Sequence, residues 1–338
     1  MTRAMIRAVA IASAIAALAP RTRAEPKYVI RMAAIAPDGT GWAREVRAFA
    51  RDVEAETDGE VRIKWYMGGI AGNEVEVIDR IKRGQVDGAA SAGPLCAKVS
   101  PSWRVFAIVG LFQSRDELHY VQQALRPRLA DEFRRSGFEP LAFGSLGPHV
   151  ILSSRRVTTL AEARKQKLFI WDLDDVGVAM SRAMGLDVVP LPLEQAARAY
   201  DDHRLDGFIS IPSATLGFQW YTRAHFMLNL QLEFVTGCIA ITSRAYDRLP
   251  AEDQRALLGA AAKLAERIDV VTRAQDDQLL GGIFERQGVV PQAASEQLRA
   301  EFLTAARAAR DQLGERLAPV ELIQKVLALL ADYRLEHR

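Results

Sequence analysis

The stretch RKQKLFIWDLDDVGVAMSRAMGLDVVPLP, residues 164–192, decides the fold class. Leu168, Phe169 and Ile170 form a short apolar run behind a basic rim, which reads as a strand. Asp172 to Asp175 supply turn and N-cap chemistry, because a carboxylate accepts from the free N–H groups of a helix start. Val176 to Met184 follow a helical pattern, Gly185 stops it, and Val188–Val189 begins a second strand. Strand, helix, strand is the building block of a parallel sheet. Trp171 leaves the first strand where open α/β sheets bind ligands, outside the carboxyl ends of their strands.

The same order occurs upstream. Lys27–Ala34 reads as a strand and 37–41 as a glycine-bearing turn. Residues 42–57 form a helix whose apolar positions Trp42, Val46, Phe49 and Val53 fall at steps of three and four. Val61–Tyr66 alternates as a second strand, Met67–Gly72 is a glycine loop and Glu74–Arg83 is a helix. Val86-Asp87-Gly88 then leads into a small-residue strand, Ala89–Ala92, just as Leu205-Asp206-Gly207 follows a helix at 193–202 and leads into Phe208–Ile209. Two units of related construction predict an α/β fold of two lobes facing a cleft, each lobe a mainly parallel sheet flanked by helices. Between the units, 116–135 is helical, 139–143 and 150–153 are short strands, 210–224 is irregular and aromatic, and 234–242 is an apolar strand. Crossings are expected near 144–150 and 234–238. Lobe I then comprises 25–146 and 236–290, lobe II comprises 147–235, and more than one strand links them. A long helix from Pro250 to about Arg286, with a kink or break at Gly281-Gly282, precedes helices at 296–315 and 320–333. The segment 291–338 is read as helices packing on the lobes.

Residues 1–24 have the layout of a secretory signal peptide: Arg3 and Arg7, the apolar run Ala8–Ala19, and the small-x-small site Thr22-Arg23-Ala24. Removing them takes away four arginines and turns the formal charge from +2 to −2, so nucleic-acid binding loses its simplest support. Cys96 and Cys238 can pair in an oxidising compartment, or stand as two separate buried thiols.

Four motifs carry a resemblance: VRIKWYMGGIAGNEVEVIDRIKRGQVDGAASAG (61–93), EARKQKLFIWD (162–172), MGLDVVPLPLEQAARAY (184–200) and LDGFISIP (205–212). In order and spacing over 27–290 the chain resembles the DctP-like extracytoplasmic solute receptors of tripartite ATP-independent (TRAP) transporters. The resemblance implies a two-lobed periplasmic solute-binding protein fold with a helical C-terminal extension and a periplasmic location. It also implies capture of a small organic ligand between the lobes and delivery to integral-membrane permease subunits driven by an ion gradient. No covalent chemistry, cofactor or metal belongs to that reading. In the family, the strand equivalent to Lys167–Ile170 commonly carries an arginine that grips the ligand carboxylate. Phe169 occupies that position here. A guanidinium gives a carboxylate two parallel charge-assisted hydrogen bonds and a phenyl ring gives none, so the expected ligand shifts toward weakly charged or hydrophobic compounds. Trp171 stands where the family often has a proline or polar residue, and Met67 where a proline is expected.

Aromatic residues in the loops provide candidate ligand contacts: Trp42, Trp65, Phe169 and Trp171, with Phe218, Trp220 and Tyr221 in the irregular segment. Asn73 and Glu74 open a helix whose free N–H groups attract an anion or carbonyl, Ser91 and Ser210 end comparable strands, and Gln219 adds an amide. The plainer reading of Asn73 is an N-cap, and that of the strand aromatics is core packing. Arg155 and Arg156 are a further source of positive charge.

Enzymatic motifs are absent. The five histidines are scattered with no H-x-x-H spacing, no G-x-S-x-G elbow occurs, and Met67–Gly72 lacks a P-loop lysine and hydroxyl. The leading expectation is therefore a solute-binding receptor. Two rivals are a periplasmic hydrophobe-binding or sensor protein without a standard permease, and a secreted hydrolase using Asp172 or Asp174 with His149.

Overall fold

The computed structural model describes residues 25–337, so the signal-peptide reading of 1–24 lies outside the described residues. The strands are β1 Tyr28–Ala34, β2 Val61–Tyr66, β3 Gly88–Ser91, β4 Phe138–Ser153, β5 Lys167–Trp171, β6 Asp187–Leu191, β7 Gly207–Ser210, β8 Phe226–Thr242 and β9 Val290–Ala293. They form one mixed sheet in the order β2-β1-β3-β8-β4-β7-β5-β6, with β9 added to β8. The order is symmetric about its centre. On one side β1 runs parallel to β2 and β3, and on the other β5 runs parallel to β6 and β7. Between the two triplets lie the long strands β4 and β8, antiparallel to each other and to their neighbours β7 and β3.

The repeated Asp-Gly turn has one physical explanation in both halves. The Asp87 N–H donates to the Arg31 carbonyl at 2.7 Å, and the Arg31 N–H donates back to Asp87 Oδ2 at 2.9 Å. Asp206 and Lys167 repeat the exchange at 2.7 and 2.9 Å. The glycine that follows lets the new strand approach a long one. A Cβ at Gly88 would stand 2.2 Å from the Ala240 carbonyl oxygen, and one at Gly207 would stand 2.1 Å from that of Leu152.

Helices α1 Gly41–Glu56, α2 Glu74–Lys82, α3 Arg115–Arg135, α4 Asp175–Ala183, α5 Leu193–Asp201, α6 Ala251–Gln278, α7 Glu296–Leu313 and α8 Val320–Glu336 cover the sheet. Thr40 caps α1 by accepting from the Ala43 N–H at 3.1 Å. Alternation along the strands sends side chains to opposite faces. Ala33, Leu168 and Ile170 join one continuous core that reaches Phe302 of α7 and Leu322 of α8. On the other face the cores are separate: Ile30, Met32 and Phe49 belong to one, and Leu152, Phe169 and Phe208 to the other. Helix α6 spans both. Leu257, Leu264 and Ile268 pack in the first, while Leu279 and Phe284, just past its end, pack in the second.

The sheet corrects three local readings. Residues 139–143 and 150–153 are parts of one strand, 138–153, because the turn-forming Gly144, Gly147 and Pro148 distort β4 without ending it. β8 begins at Phe226, well before the apolar run at 234, since its first half alternates polar and apolar residues. Residues 212–217 are a short helix inside the segment read as irregular. The long helix ends at Gln278 in a π-turn over 279–283 containing Gly282 at φ 134°. Cys96, on the short helix Pro94–Val99, and Cys238, on β8, form a disulfide with Cα atoms 5.9 Å apart. It ties a helix of the first half to a shared strand across 142 residues of sequence. No helix among the described residues is long and apolar enough to cross a membrane.

Replacing Gly207 by alanine should cost about 1–3 kcal/mol, the usual penalty of overpacking against fixed atoms. Urea denaturation would measure it, and a loss under about 0.5 kcal/mol, the scatter of neutral surface changes, would contradict the close approach. Converting Cys96 and Cys238 together to serine should remove about 2–5 kcal/mol, and an unchanged urea midpoint would show that the crosslink constrains nothing.

Candidate functional site

The site begins with an irregularity in the backbone. Pairing between β4 and β8 shifts register between Ser145 and Gly147, and again between Pro148 and Val150. On the opposing strand Pro148 faces Phe234 while Val150 faces Asn229, so residues 230–233 loop out of the ladder, with Gln231 at φ 49°. Bulges of this kind re-aim side chains. Here they turn His149 and Glu233 toward a cavity of ≈ 230 Å³ that both halves line.

Each half contributes the carboxyl end of its sheet. Ser91 ends β3, Trp171 follows Ile170 at the end of β5, Ser210 ends β7, and all line the cavity. Trp42 reaches it from the first turn of α1, and Thr272, Gln275 and Asp276 reach it from α6. The wall from the second half is a stack of rings. Phe169 and Trp220 have centroids 5.1 Å apart, and Trp220 lies almost parallel to Phe208 and Phe218, each at 5.1 Å. Phe169 is 1% exposed and Trp220 is also 1% exposed, so these two are core residues whose edges form the wall. Trp42, Trp171 and Phe218 are half-buried.

Seven of the twelve candidate contact residues thus line one cavity: Trp42, Ser91, Phe169, Trp171, Ser210, Phe218 and Trp220. The remaining five lie elsewhere, for local reasons. Trp65 packs on the core beneath α1. Asn73 is the N-cap of α2, its Oδ1 accepting from the Glu76 N–H at 3.0 Å while the Asn73 N–H donates to Glu76 Oε2 at 2.8 Å. Glu74 is buried and accepts from the Ser91 hydroxyl, from the Ala92 N–H at 2.7 Å and from the Leu95 N–H at 3.4 Å. Burial pushes Glu74 up to about 7 against these bonds. Gln219 takes the left-handed conformation at φ 57° next to a 3₁₀ turn, and Tyr221 packs on Phe284. Arg155 and Arg156 are exposed, Arg156 lying over the Phe226 ring at 5.0 Å.

The charged groups on the wall were harder to find in the sequence. Among the described residues they are Arg104, His149, Asp174, Asp175, Glu233 and Asp276. His149 Nδ1 stands 2.9 Å from Glu233 Oε2 but off the line that a good hydrogen bond prefers, so opposite charge does most of the holding. Burial disfavours the imidazolium, yet the Glu233 carboxylate outweighs it and holds His149 above its ordinary value. Asp174 caps α4 by accepting from the Gly177 N–H at 2.9 Å, and burial together with the charge of Glu233 pushes it up to about 7. Arg104 is tied at all three nitrogens: it donates to Asp175 Oδ2 at 2.6 Å, to the Leu317 carbonyl at 2.8 Å and to the Arg316 carbonyl at 3.0 Å. Asp276 pairs through Oδ2 with Arg115, which does not reach the wall, and burial still pushes it up to about 6. Gly147, at φ 128°, makes room for that pair, since a Cβ there would lie 2.8 Å from Asp276 Oδ2. Acid and base reach the cavity from β4, β8, α4 and α6, which are distant in sequence, so no spacing could announce them.

Comparison with known proteins places this geometry. Residues 32–316 match the model of DctP, the bacterial extracellular solute-binding protein family 7. A solute-binding protein of Roseobacter denitrificans is 21% identical over 268 residues, which is 77% of this chain and 80% of the relative. A Bordetella pertussis extracytoplasmic solute receptor binding pyroglutamic acid superposes with a TM-score of 0.81 at 21% identity, covering 90% of this chain and 99% of the other. A TRAP periplasmic solute-binding protein from Desulfovibrio desulfuricans with bound sn-glycerol-3-phosphate gives 0.83 at 17% identity, covering 90% and 97%. The two-lobed fold with its helical C-terminal region is thereby established. These relatives are binding receptors and not enzymes, which overturns the hydrolase reading. Asp174 does share the cavity with His149, while Asp172 is exposed and off the wall. The chain belongs to the DctP family of bacterial extracellular solute-binding proteins, family 7.

Proposed function

We propose that this extracytoplasmic receptor captures a small organic ligand of weak charge or hydrophobic character and hands it to the membrane subunits of an ion-gradient-driven permease. The lobes, 25–146 with 236–290 against 147–235, close over the ligand, with 291–338 packed on them. Closure is a hinge motion of the two crossing strands at their register breaks, and it forms the surface that the permease recognises. The ligand is gripped by the rings of Trp42, Phe169, Trp171, Phe218 and Trp220, with Ser91 and Ser210 at the strand ends as polar contacts.

One observation carries this reading. The wall residue in the strand that commonly bears the family's arginine is Phe169, and it is locked between neighbouring rings. The relatives described above hold pyroglutamic acid and sn-glycerol-3-phosphate, both anions. A buried anion needs a cation or several N–H donors to offset its lost hydration. Both cationic side chains on this wall are already committed to carboxylates. Burying apolar ligand surface against rings, at roughly 25 cal/mol per Å², is the larger source of affinity here.

Native mass spectrometry of the protein purified without denaturant should reveal a retained organic compound of low charge. Titrated back into protein that has been unfolded and refolded, that compound should bind Trp171→Ala about 10- to 100-fold more weakly. Trp171 is half-buried, so the variant should keep its melting temperature within a few degrees. Unchanged affinity would remove the ring wall from the account, and retention of a dicarboxylate would overturn the ligand class.

A further inference from the structure

We propose that the cavity takes an organic cation, whose protonated or quaternary nitrogen sits against Asp174 and Glu233 and whose carbon body lies among the rings. This deepens, and rests on, the receptor reading above.

Charge placement is the first support. The wall carries four carboxyl groups, Asp174, Asp175, Glu233 and Asp276, against two basic side chains, Arg104 and His149. Arg104 is spent on Asp175 and two backbone carbonyls, and His149 leans on Glu233. Asp174 is left with no hydrogen-bonded cation among the described residues, its carboxylate accepting from the Gly177 N–H of the helix cap. An incoming anion would meet these carboxylates, while both basic side chains of the wall are already paired to a carboxylate. An incoming ammonium would supply the missing countercharge.

A second, independent support is an acceptor with nothing to accept. The Asp276 side chain is 2% exposed and lines the cavity, its Oδ2 pairs with Arg115, and its Oδ1 has no hydrogen-bond partner. Leaving such an oxygen unsatisfied is costly unless a ligand or water supplies a donor. A donor group on the ligand, on the side facing α6, would satisfy it. The rings supply the apolar surface against which the carbon body of such a cation would be buried.

The arrangement also sets a pH dependence. Asp174 faces His149 from β4, Glu233 from β8 and its neighbour Asp175, which is held by Arg104. Burial and the Glu233 charge hold the Asp174 proton on up to about 7, so raising the pH through that value ionises it. His149, held above its ordinary value, loses its positive charge in the same direction. Both changes make the cavity more negative, so a cation binds more tightly as the pH rises and an anion more weakly.

Isothermal titration of ligand-free protein with matched sets tests this directly. One set is phenethylamine, 2-phenylethanol and 3-phenylpropionate, and the second is tryptamine, tryptophol and indole-3-propionate. The amine of a set should bind about 10- to 100-fold more tightly than its carboxylate, the range of a charge-assisted contact. Its affinity should rise between about pH 6 and pH 8, across the Asp174 transition. Asp174→Asn should weaken the amine preference and flatten its rise with pH while keeping the helix cap, since asparagine caps as well as aspartate, and Glu233→Gln should also reduce the preference. Tighter binding of the carboxylates, or undiminished amine binding by Asp174→Asn, would overturn the cation assignment and leave the receptor reading intact. So would the failure of every compound to bind, because the retained-ligand measurement decides the receptor reading separately.

Discussion

The backbone hydrogen bonds between β4 and β8 are common property of both lobes, and the site exists because that ladder is interrupted. Over most of their length the two strands pair as an ordinary antiparallel ribbon. Around Leu146 and His149 on β4 and Gln231 on β8 the register breaks, where proline has no N–H to give and positive φ turns the chain aside. The interruption turns His149 and Glu233 into the gap and leaves the lobes joined where pairing is weakest. The cavity and the break between the two halves of the ladder thus arise from one departure from regular pairing.

Around that centre the molecule repeats itself. Both parallel triplets close with an aspartate that exchanges hydrogen bonds with the backbone of one residue of the triplet's central strand, Arg31 or Lys167, and with a glycine pressed against a long strand. The triplets therefore dock on β8 and β4 in related ways, bringing their carboxyl ends to the same gap. Helix α6 crosses from one core to the other and presents Asp276 midway. The disulfide fixes the first triplet's flank to β8 on the same side of the molecule.

Much of this was legible in the sequence, because it is local. Helical spacing, glycine turns and the Asp-Gly pairs located the elements of both triplets within a residue or two. Trp171 stands out where a loop leaves a strand, Phe169 through the family resemblance, and Phe218 and Trp220 through the aromatic density of 210–224. Local reasoning also produced the errors. Gly144 and Pro148 look like a turn, yet β4 runs through them, because pairing with β8 supplies what local propensity withholds. Asn73 and Glu74 looked available at a helix start, but their side chains are used in holding the loop itself. Of the polar wall, Asp174 and His149 are singled out in the sequence only as a possible hydrolytic pair, while Glu233 and Asp276 join them only through long-range pairing and stand out in no local pattern. Pairing of Cys96 with Cys238 was one of two open possibilities for the same reason.

On the proposed reading, a phenyl ring at residue 169 where relatives commonly carry a guanidinium changes what the shared fold would hold. Relatives of the same architecture bind anions, whereas this wall offers rings, committed cations and carboxyl groups looking for a countercharge. The most direct measurement is a crystal structure of the protein with the ligand it retains on purification. The account predicts a ligand enclosed between the lobes, its carbon body against Phe169, Trp171 and Trp220, and no carboxylate on a guanidinium. A ligand carboxylate pinned by Arg104 after that side chain has left Asp175 would contradict it.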